Sequence, residues 1–356
     1  MKRRLPFLFS IVLAICFVLL VLCKGKRYEI RRANGHVIVE NHIPGQLRVP
    51  ADKIRFQEIF SIGTDSGDEN YMFYGFLKIR IDRRHDIYVL DMKDQKISKY
   101  NKFGQFVWRT GKKGQGPGEL ESPFDFSIGQ DDKIFILDYP STIEIFSTDG
   151  LFIDALKLDK AFCSIDVMED GRLLLNELAT YQTAVCAFVY SVEGKLERQF
   201  LEPYQYGPKN LGGGGFSSEK AIRCLDHKIY FCLPDRYEIR EYDLQGKLLR
   251  IIRRDKNLTP FNIKTQDGML SSLSVRDRSG PCFLWKSEYL INILTLHKAG
   301  QPREWDMDFF DKKGFYLGSV PLPEDTALNF VDDEGNAYFV QRFPFPRIIC
   351  KRLLIN

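Results

Sequence analysis

Three aspartates recur at the ends of similar apolar runs, and carboxylates at repeated positions are candidate ligands for a cation. Asp91, Asp138 and Asp235 each follow a run of Ile, Tyr, Val, Leu or Phe residues. A ring of such carboxylates would bind a divalent cation such as Ca²⁺ through oxygen atoms. An aspartate in this position also caps the turn after a strand by accepting hydrogen bonds from backbone N–H groups. We favour turn capping, because identical positions in repeats usually serve the repeat structure.

The histidines and cysteines show no spacing typical of a metal site. No two histidines have the separation of a helical ligand pair, and no C-x-x-C motif is present, so zinc is not expected. The histidines are His36, His42, His85, His227 and His297. Beyond the N-terminal segment the cysteines are Cys163, Cys186, Cys224, Cys232, Cys282 and Cys350. Cys224 and Cys232 either face each other across a hairpin or, as we favour, are separate buried thiols.

The Gly-rich segment Gly111–Leu120 has the composition of a phosphate-binding loop but not its sequence. It contains Lys112 and Lys113, but it has no Gly-Lys-Ser/Thr motif and no helical segment follows it. We therefore predict a connector between strands.

Aromatic and basic residues in long loops are the best candidates for a binding surface. The four longest loops are predicted to share one face of the fold. They are Thr64–Met72, Gly111–Leu120, Glu202–Ser218 and Arg254–Met269. Long loops on a rigid scaffold often carry binding residues, and aromatic side chains dominate many interfaces. The candidate binding residues are Tyr204, Tyr206, Lys209, Phe216, Phe261 and Lys264.

Short strand-like runs must position these loops. Runs rich in Ile, Val, Tyr and Phe alternate with Asp, Asn and Gly turns, which is the pattern of an antiparallel meander. The first four runs are Phe73–Ile81, Asp86–Asp91, Lys96–Asn101 and Gln105–Thr110. The second run, Asp86–Asp91, has a similar counterpart at Lys133–Asp138. A four-stranded unit that repeats every ~40–50 residues is typical of a propeller blade.

A glycine recurs in the turn before the last strand of five predicted blades, where it supplies the positive φ of a tight hairpin. These glycines are Gly104, Gly150, Gly194, Gly246 and Gly314. After the first blade, the next four are predicted over Phe124–Leu158, Phe162–Leu201, Glu219–Arg253 and, least regularly, Leu270–Val320.

A sixth blade is predicted to combine both ends of the chain. Ile54–Ile62 has the pattern of a fourth strand without its first three, and Thr326–Leu354 contains three strands without a fourth. Their pairing would remove exposed sheet edges. The predicted fold is therefore all-β: a six-bladed β-propeller of four-stranded antiparallel blades over residues 54–356, closed by the N-terminal strand joining the C-terminal blade.

The N-terminal residues 1–32 predict a signal or membrane anchor. Basic residues 2–4 precede the uncharged run Leu5–Cys23, which is long enough to span a bilayer. Three forms remain open: an uncleaved anchor, which we favour, lipidation at Cys23 or Cys16, and a cleaved soluble protein. We expect export to the periplasmic or extracellular face of a bacterial envelope. Residues 33–53 are interpreted as a linker with one strand-like run at 36–40.

The composition indicates a globular protein and gives no support for nucleic-acid binding. Of the 356 residues, 44% are hydrophobic and 28% are charged, which is a globular balance. The formal net charge is only +4, and several positive charges lie at the N-terminus, so no basic face is indicated.

The segments Ile87–Asp91 and Gly111–Leu120, with Gly104 and Pro123, resemble an NHL repeat. From about residue 54 the chain is similar to the NHL or TolB-like six-bladed propellers that bacteria export with a signal or lipid anchor. The match is good in blades one and two and poor in blades three and five. The family includes binding scaffolds, an amidating lyase and relatives with lactonase activity, so the resemblance implies the fold rather than one chemistry.

The favoured function is a membrane-tethered scaffold that binds a protein, a peptide or a glycan through its loop-rich face, with no catalysis, cofactor or metal. The alternative is a metal-assisted hydrolase or lyase at the channel mouth, similar to a lactonase or an amidating lyase. A lactonase-like site would require carboxylates and amides to converge on the channel. The residues considered for it are Glu58, Glu219, Asn176, Asn329 and Asp166.

Overall fold

In a computed structural model of the chain, the described residues form β-strands and a short 3-10 helix at Glu69–Tyr71. The described residues are 28–42, 54–138, 140–177, 184–205, 222–233, 236–256, 258, 261–266, 269–275, 278–296, 304–323 and 326–355. Among them, no helix is long and apolar enough to cross a membrane. The apolar run Leu5–Cys23 lies outside the described residues.

Three strands precede the first complete blade. They are β1 (Tyr28–Ala33), β2 (His36–Asn41) and β3 (Ile54–Ile62). Blade one comprises β4 (Leu77–Ile81), β5 (Ile87–Asp91), β6 (Lys96–Tyr100) and β7 (Phe106–Thr110). Blade two comprises β8 (Pro123–Ile128), β9 (Lys133–Asp138), β10 (Thr142–Ser147) and β11 (Phe152–Lys157). Blade three comprises β12 (Phe162–Val167), β13 (Leu173–Glu177), β14 (Ala184–Tyr190) and β15 (Leu196–Gln205).

Blade four and the segment after it differ from this pattern. Blade four comprises β16 (Ile222–Leu225), β17 (Lys228–Leu233), β18 (Glu238–Asp243) and β19 (Leu248–Arg254). A separate two-stranded sheet follows, formed by β20 (Phe261–Gln266) and β21 (Met269–Val275). Blade five comprises β22 (Arg278–Trp285), β23 (Tyr289–Leu296), β24 (Glu304–Asp311) and β25 (Tyr316–Pro321). Blade six comprises β26 (Thr326–Val331), β27 (Asn336–Gln341), β28 (Arg347–Ile355) and β3.

The six-bladed fold and its closure are confirmed. Strand β3 pairs antiparallel with β28 from Ile62 opposite Ile348 to Ile54 opposite Ile355. The burial of the strands follows their position in a blade. Every residue of the second strand β5 is buried, whereas the outer strand β11 is almost entirely exposed. Strands that pack on both faces read as continuous apolar runs, which is why the second strands were the clearest sequence signal.

The strand-like run at 36–40, within the segment interpreted as a linker, is a strand in the structure, β2 (His36–Asn41). Strands β1 and β2 form a hairpin, and β2 pairs in parallel with β19, the outer strand of blade four. Val39 is buried against that blade. The Asn41 side chain accepts a hydrogen bond from Tyr316 N at 2.9 Å and donates one to Gly314 O at 3.1 Å. The hairpin therefore covers the edge of blade four and also contacts blade five.

Blade five begins later than predicted. Its first strand is β22 rather than a strand near Leu270, which lies in the separate β20–β21 hairpin. The register of β22 against β23 shifts between Ser279 and Cys282, around Gly280 and Pro281. A Gly-Pro pair inside a run normally argues against a strand, and the irregular pairing accommodates it here.

The recurrent glycines close the turns between third and fourth strands, with φ from +79° to +85°. A polar side chain three residues earlier accepts a backbone hydrogen bond in each turn, a feature that the sequence analysis missed. The capping residues are Asn101, Ser147, Ser191, Asp243 and Asp311. Each glycine also lies against the outer strand of the preceding blade.

Changing Gly314 to alanine should destabilise the protein more than the same change at Gly171. Both glycines have positive φ, +85° and +88°, so both variants incur a backbone cost of about 1–2 kcal/mol. A Cβ at Gly314 would lie 2.8 Å from Ile252 Cγ1, whereas nothing lies within 4 Å at Gly171. Overpacking should add about 1–3 kcal/mol at Gly314 alone. Urea unfolding of both variants measures the difference, and equal losses would contradict close packing between the blades.

Candidate functional site

Three of the six predicted binding residues lie in strands rather than in loops. Tyr204 is in β15, and Phe261 and Lys264 are in β20. The loop assignment is therefore wrong at these positions, and their side chains are not among the described atoms. The other three, Tyr206, Lys209 and Phe216, lie outside the described residues. A binding role for all six stays a prediction.

The strand order defines two faces of the disc. Because successive strands in a blade run antiparallel, the connectors between blades and the turns between second and third strands lie on one face. We call it the connector face. The turns between first and second strands and between third and fourth strands lie on the opposite face. The predicted loops Thr64–Met72 and Gly111–Leu120 are both on the connector face.

An exposed aromatic patch lies on the connector face where blade six meets blade one. It consists of Tyr74 and Phe76, before β4, and Arg342 and Phe343, between β27 and β28. Tyr74, Phe76 and Phe343 are 48%, 57% and 74% exposed. The guanidinium carbon of Arg342 lies 4.5 Å from the ring centroid of Phe76, in a cation–π contact. Aromatic residues and arginine are enriched in protein-binding surfaces.

The backbone of the aromatic patch is held by a buried carboxylate. Asp91 accepts hydrogen bonds from the N–H groups of Tyr74 at 2.6 Å, Lys93 at 3.0 Å and Asp94 at 3.2 Å. Met92 N also donates to Phe76 O at 3.1 Å. The connector is therefore ordered before any partner binds, which lowers the entropy cost of association.

The same arrangement explains the aspartates at the ends of second strands. Asp138 accepts hydrogen bonds from Glu121 N at 2.8 Å and Ser122 N at 2.6 Å, in the connector before β8. At Asp91 the preference for turn capping is confirmed, and at both positions the carboxylate also anchors a connector. Asp235 lies outside the described residues. Burial raises the pKa of Asp138, and the two backbone N–H groups oppose the shift.

The central channel contains two buried ion pairs contributed by four blades. Arg80 Nη2 on β4 lies 2.8 Å from Asp125 Oδ1 on β8. Arg223 Nε on β16 lies 3.1 Å from Asp166 Oδ2 on β12. No side chain of the four is more than 9% exposed. Ser127 Oγ donates to Asp166 Oδ1 at 3.1 Å and links the second pair to blade two.

The two carboxylates are occupied by structural contacts on both oxygens. Asp125 Oδ2 accepts a hydrogen bond from Ile165 N at 3.3 Å, and Asp166 Oδ2 accepts one from Cys224 N at 2.8 Å. Burial lowers the pKa of the Arg80 guanidinium; Asp125 opposes this shift and Arg223 adds to it. The channel network thus holds neighbouring blades together and presents no free base.

Four of the five residues considered for a lactonase-like site are described, and they do not form a common cluster. Asp166 is in the channel ion pair, and Asn329 hydrogen-bonds the backbone of β4 through both its oxygen and its nitrogen. Asn176 lies in β13, Glu58 is exposed on the outer strand β3, and Glu219 is outside the described residues. Within the described ranges, no group of three or more His, Cys, Asp or Glu residues has the geometry to hold a metal ion.

A cavity of about 550 Å³ opens on the opposite face, between blades five and six. Its lining residues are Lys286, Ser287, Asp333, Glu334 and Arg352. Two basic and two acidic side chains face each other there, and His85 Nε2 lies 3.5 Å from Glu334 Oε1. These charges compensate one another, so the cavity has no field that would select one class of ligand.

Sequence signals for the aromatic patch exist but were assigned differently. Tyr74 and Phe76 were included in the predicted strand Phe73–Ile81, because alternating aromatic residues suit a strand. Gly75 between them marks the irregular backbone, and β4 begins only at Leu77. Residues 342–347 read Arg-Phe-Pro-Phe-Pro-Arg, in which the prolines interrupt strand pairing.

These features define a closed β-propeller with an exposed aromatic patch on its connector face. Residues 69–254, just over half of the chain, match the DUF5128 family, which is described as a 6-bladed beta-propeller. The chain belongs to this family. No curated protein is significantly similar to it in sequence. The closer likeness to NHL or TolB-like propellers stays a prediction.

Two solved structures from Bacteroides are similar in fold. One is a protein of Bacteroides fragilis NCTC 9343 described as exported, with 13% identity, a TM-score of 0.59, and coverage of 90% of this chain and 99% of that chain. The other is a duf4221 family member from Bacteroides vulgatus ATCC 8482, with 10% identity, a TM-score of 0.59, and coverage of 85% and 99%. At these identities the likeness concerns the fold alone.

Proposed function

We propose that this protein is an exported binding protein of the bacterial cell envelope that holds a protein or peptide partner on its connector face. The observation that carries the proposal is the aromatic patch, with aromatic side chains up to 74% exposed. Exposed apolar side chains that cluster on one face mark interaction sites more often than scattered ones do.

Export and tethering rest on the N-terminal sequence. Basic residues followed by the apolar run Leu5–Cys23 are the pattern of an export signal that is retained as an anchor. The description of the B. fragilis structure as exported is consistent with this placement. The tether would leave the propeller free to meet partners at the membrane surface.

The chemistry of the aromatic patch favours a partner segment with apolar and acidic residues. Arg342 and the exposed Lys93 add positive charge beside the aromatic rings. The aromatic rings would cover apolar side chains of the partner, while the cations would pair with its carboxylates. A glycan would also stack on aromatic rings, but a neutral glycan would gain little from the cations.

The double change Phe76→Ala and Phe343→Ala should weaken partner binding by about 30-fold or more, because the loss of even one hot-spot aromatic costs about 2 kcal/mol. Protein retained from a solubilised envelope extract by the immobilised full chain should be quantified by mass spectrometry. The matched control is Phe103→Ala. Phe103 is 67% exposed on the opposite face and also has a lysine, Lys102, 5.3 Å from its ring.

Support requires a protein that the wild type and Phe103→Ala retain and that the double variant loses. Both variants remove exposed side chains, so their urea unfolding midpoints should match that of the wild type. If all three chains retained the same proteins equally, the aromatic patch would not be the binding site. If the double variant lost binding of a purified envelope glycan while its protein capture stayed unchanged, the partner would be a glycan rather than a protein.

A further inference from the structure

Two cysteines from neighbouring blades lie in direct contact. Cys232 is in β17 of blade four and Cys282 is in β22 of blade five. Their Sγ atoms are 2.8 Å apart, and both residues are 1% exposed. The sulfur atoms are therefore close to bonding distance, which is ~2.05 Å in a disulfide.

The local backbone creates this contact. Gly280 packs against Cys232, and a Cβ at Gly280 would lie 2.9 Å from Cys232 Cβ. The register shift between Ser279 and Cys282 lets β22 approach blade four at this point. Both cysteines belong to the hydrophobic cluster that includes Tyr237, and Cys282 Sγ also lies 3.7 Å from Asn292 Oδ1.

The hairpin pairing considered for Cys224 and Cys232 is wrong. Cys224 pairs across the ladder with Ile229. The Cys163 Sγ lies 3.5 Å from the Glu177 carbonyl oxygen. Among the cysteines whose side chains are described, the strand geometry brings Cys232 and Cys282 together.

We propose that Cys232 and Cys282 form a disulfide when the chain folds in an oxidising compartment, which crosslinks blades four and five. The bond would close the segment that contains β18, β19 and the β20–β21 hairpin. It would hold blades four and five together next to the β20–β21 hairpin. This is the part of the chain where the repeat pattern is least regular. In the cell, the proposal rests on the export included in the proposed function.

The oxidant would be a disulfide donor, either an oxidised dithiol protein or glutathione disulfide. The thiolate of one cysteine attacks the donor disulfide, forms a mixed disulfide and releases one donor thiol. The thiolate of the other cysteine then attacks the sulfur of the first, forms the Cys232–Cys282 bond and releases the second donor thiol. The two cysteines are oxidised, and the donor disulfide is reduced to two thiols.

Burial determines when this exchange takes place. Both thiols are enclosed in the folded protein, so a donor reaches them only before blade five packs on blade four. The finished bond is then shielded from external reductants. Oxidation should accordingly accompany folding rather than follow it.

The test is refolding of the full chain, reduced and unfolded, in a mixture of reduced and oxidised glutathione. The refolded chain is unfolded without reductant, alkylated, digested and analysed by mass spectrometry. We expect one linked peptide pair joining Cys232 and Cys282, lighter by two hydrogens than the two reduced peptides. The thermal transition of the oxidised chain should lie about 10 °C above that of the reduced chain.

Two variants separate the crosslink from general packing. Cys232→Ala should leave Cys282 fully alkylated and remove the difference between oxidised and reduced transitions. Cys163→Ala, which also loses a buried thiol, should keep that difference. Refolded wild type with both cysteines alkylated, or with either linked to another cysteine, would overturn the proposal. Because the refolding needs no export, a failure of export in cells would leave this result unchanged.

Discussion

Replacing Asp125 by asparagine should destabilise the protein by about 3–5 kcal/mol. Asparagine preserves the shape of the side chain, but it leaves the Arg80 guanidinium as an uncompensated charge. The Asp125 and Arg80 side chains are 1% and 4% exposed, so water cannot replace the lost partner. The remaining charge of Arg223 also disfavours the Arg80 cation. The urea dependence of unfolding measures the loss directly.

Two further variants show that the effect arises from a buried unpaired charge. Asp131→Asn removes a carboxylate that is 49% exposed and lies 2.7 Å from Lys133 Nζ, so it should cost less than about 1 kcal/mol. The double change Arg80→Met and Asp125→Leu removes both charges and should retain more stability than Asp125→Asn alone. A double variant as unstable as the single one would mean that the ion pair itself, rather than charge balance, stabilises the channel.

The same ion pairs bear on the choice between binding and catalysis. A hydrolase or lyase at the channel mouth would need a base or a metal-binding group free to meet substrate. Asp125 and Asp166 instead accept hydrogen bonds from the backbone of neighbouring inner strands and pair with arginines. These two carboxylates are engaged in contacts between blades, whereas Tyr74, Phe76 and Phe343 on the connector face are largely exposed.

The blade pattern could be predicted because it is local. Runs such as Ile87–Asp91 are apolar on both faces, and Gly104 or Gly150 closes the following hairpin. Both features are set within a few neighbouring residues. Closure by Ile54–Ile62 was also predictable, because blade six lacks one strand and the chain offers one unpaired strand of matching pattern.

Contacts made between distant segments were harder to predict. The strand His36–Asn41 was visible in the sequence, but its parallel pairing with Leu248–Arg254 depends on which sheet edge is available in three dimensions. The contact of Cys232 with Cys282 likewise depends on packing between blades. Sequence spacing offered Cys232 only the hairpin pairing with Cys224, and separate buried thiols were favoured over it.

An aromatic and basic surface on the connector face was predicted at other residues, and its role in binding stays a prediction. Aromatic and basic side chains on the connector face were expected, and Tyr74, Phe76 and Arg342 provide them near blade one. At Tyr74–Phe76 the sequence supports two interpretations equally. The alternating aromatic residues favour a strand, and Gly75 favours a loop. Only the hydrogen bonds to Asp91 determine that this backbone leaves the sheet.

Removing residues 1–63 should abolish folding, whereas removing residues 1–42 should leave a folded propeller. The longer deletion takes away β3, which pairs with β28 along the strand and contributes the buried Ile62 to the core. Phe56 and Phe60 also pack against two hydrophobic clusters. Loss of this packing and of the strand ladder is comparable to the ~5–15 kcal/mol stability of a typical domain.

The shorter deletion is the matched control because it also removes the N-terminal apolar run but, of the described strands, takes away only β1 and β2. Each of the six blades keeps four strands, and the newly exposed edge is that of β19 on blade four. We expect cooperative urea unfolding at a lower midpoint for this chain, and a protease-sensitive, non-cooperative chain for the longer deletion. Cooperative unfolding of both chains at similar midpoints would mean that five complete blades and an open sixth suffice. Strand β3 would then be an accessory to the propeller, as the hairpin is, rather than the strand that closes it.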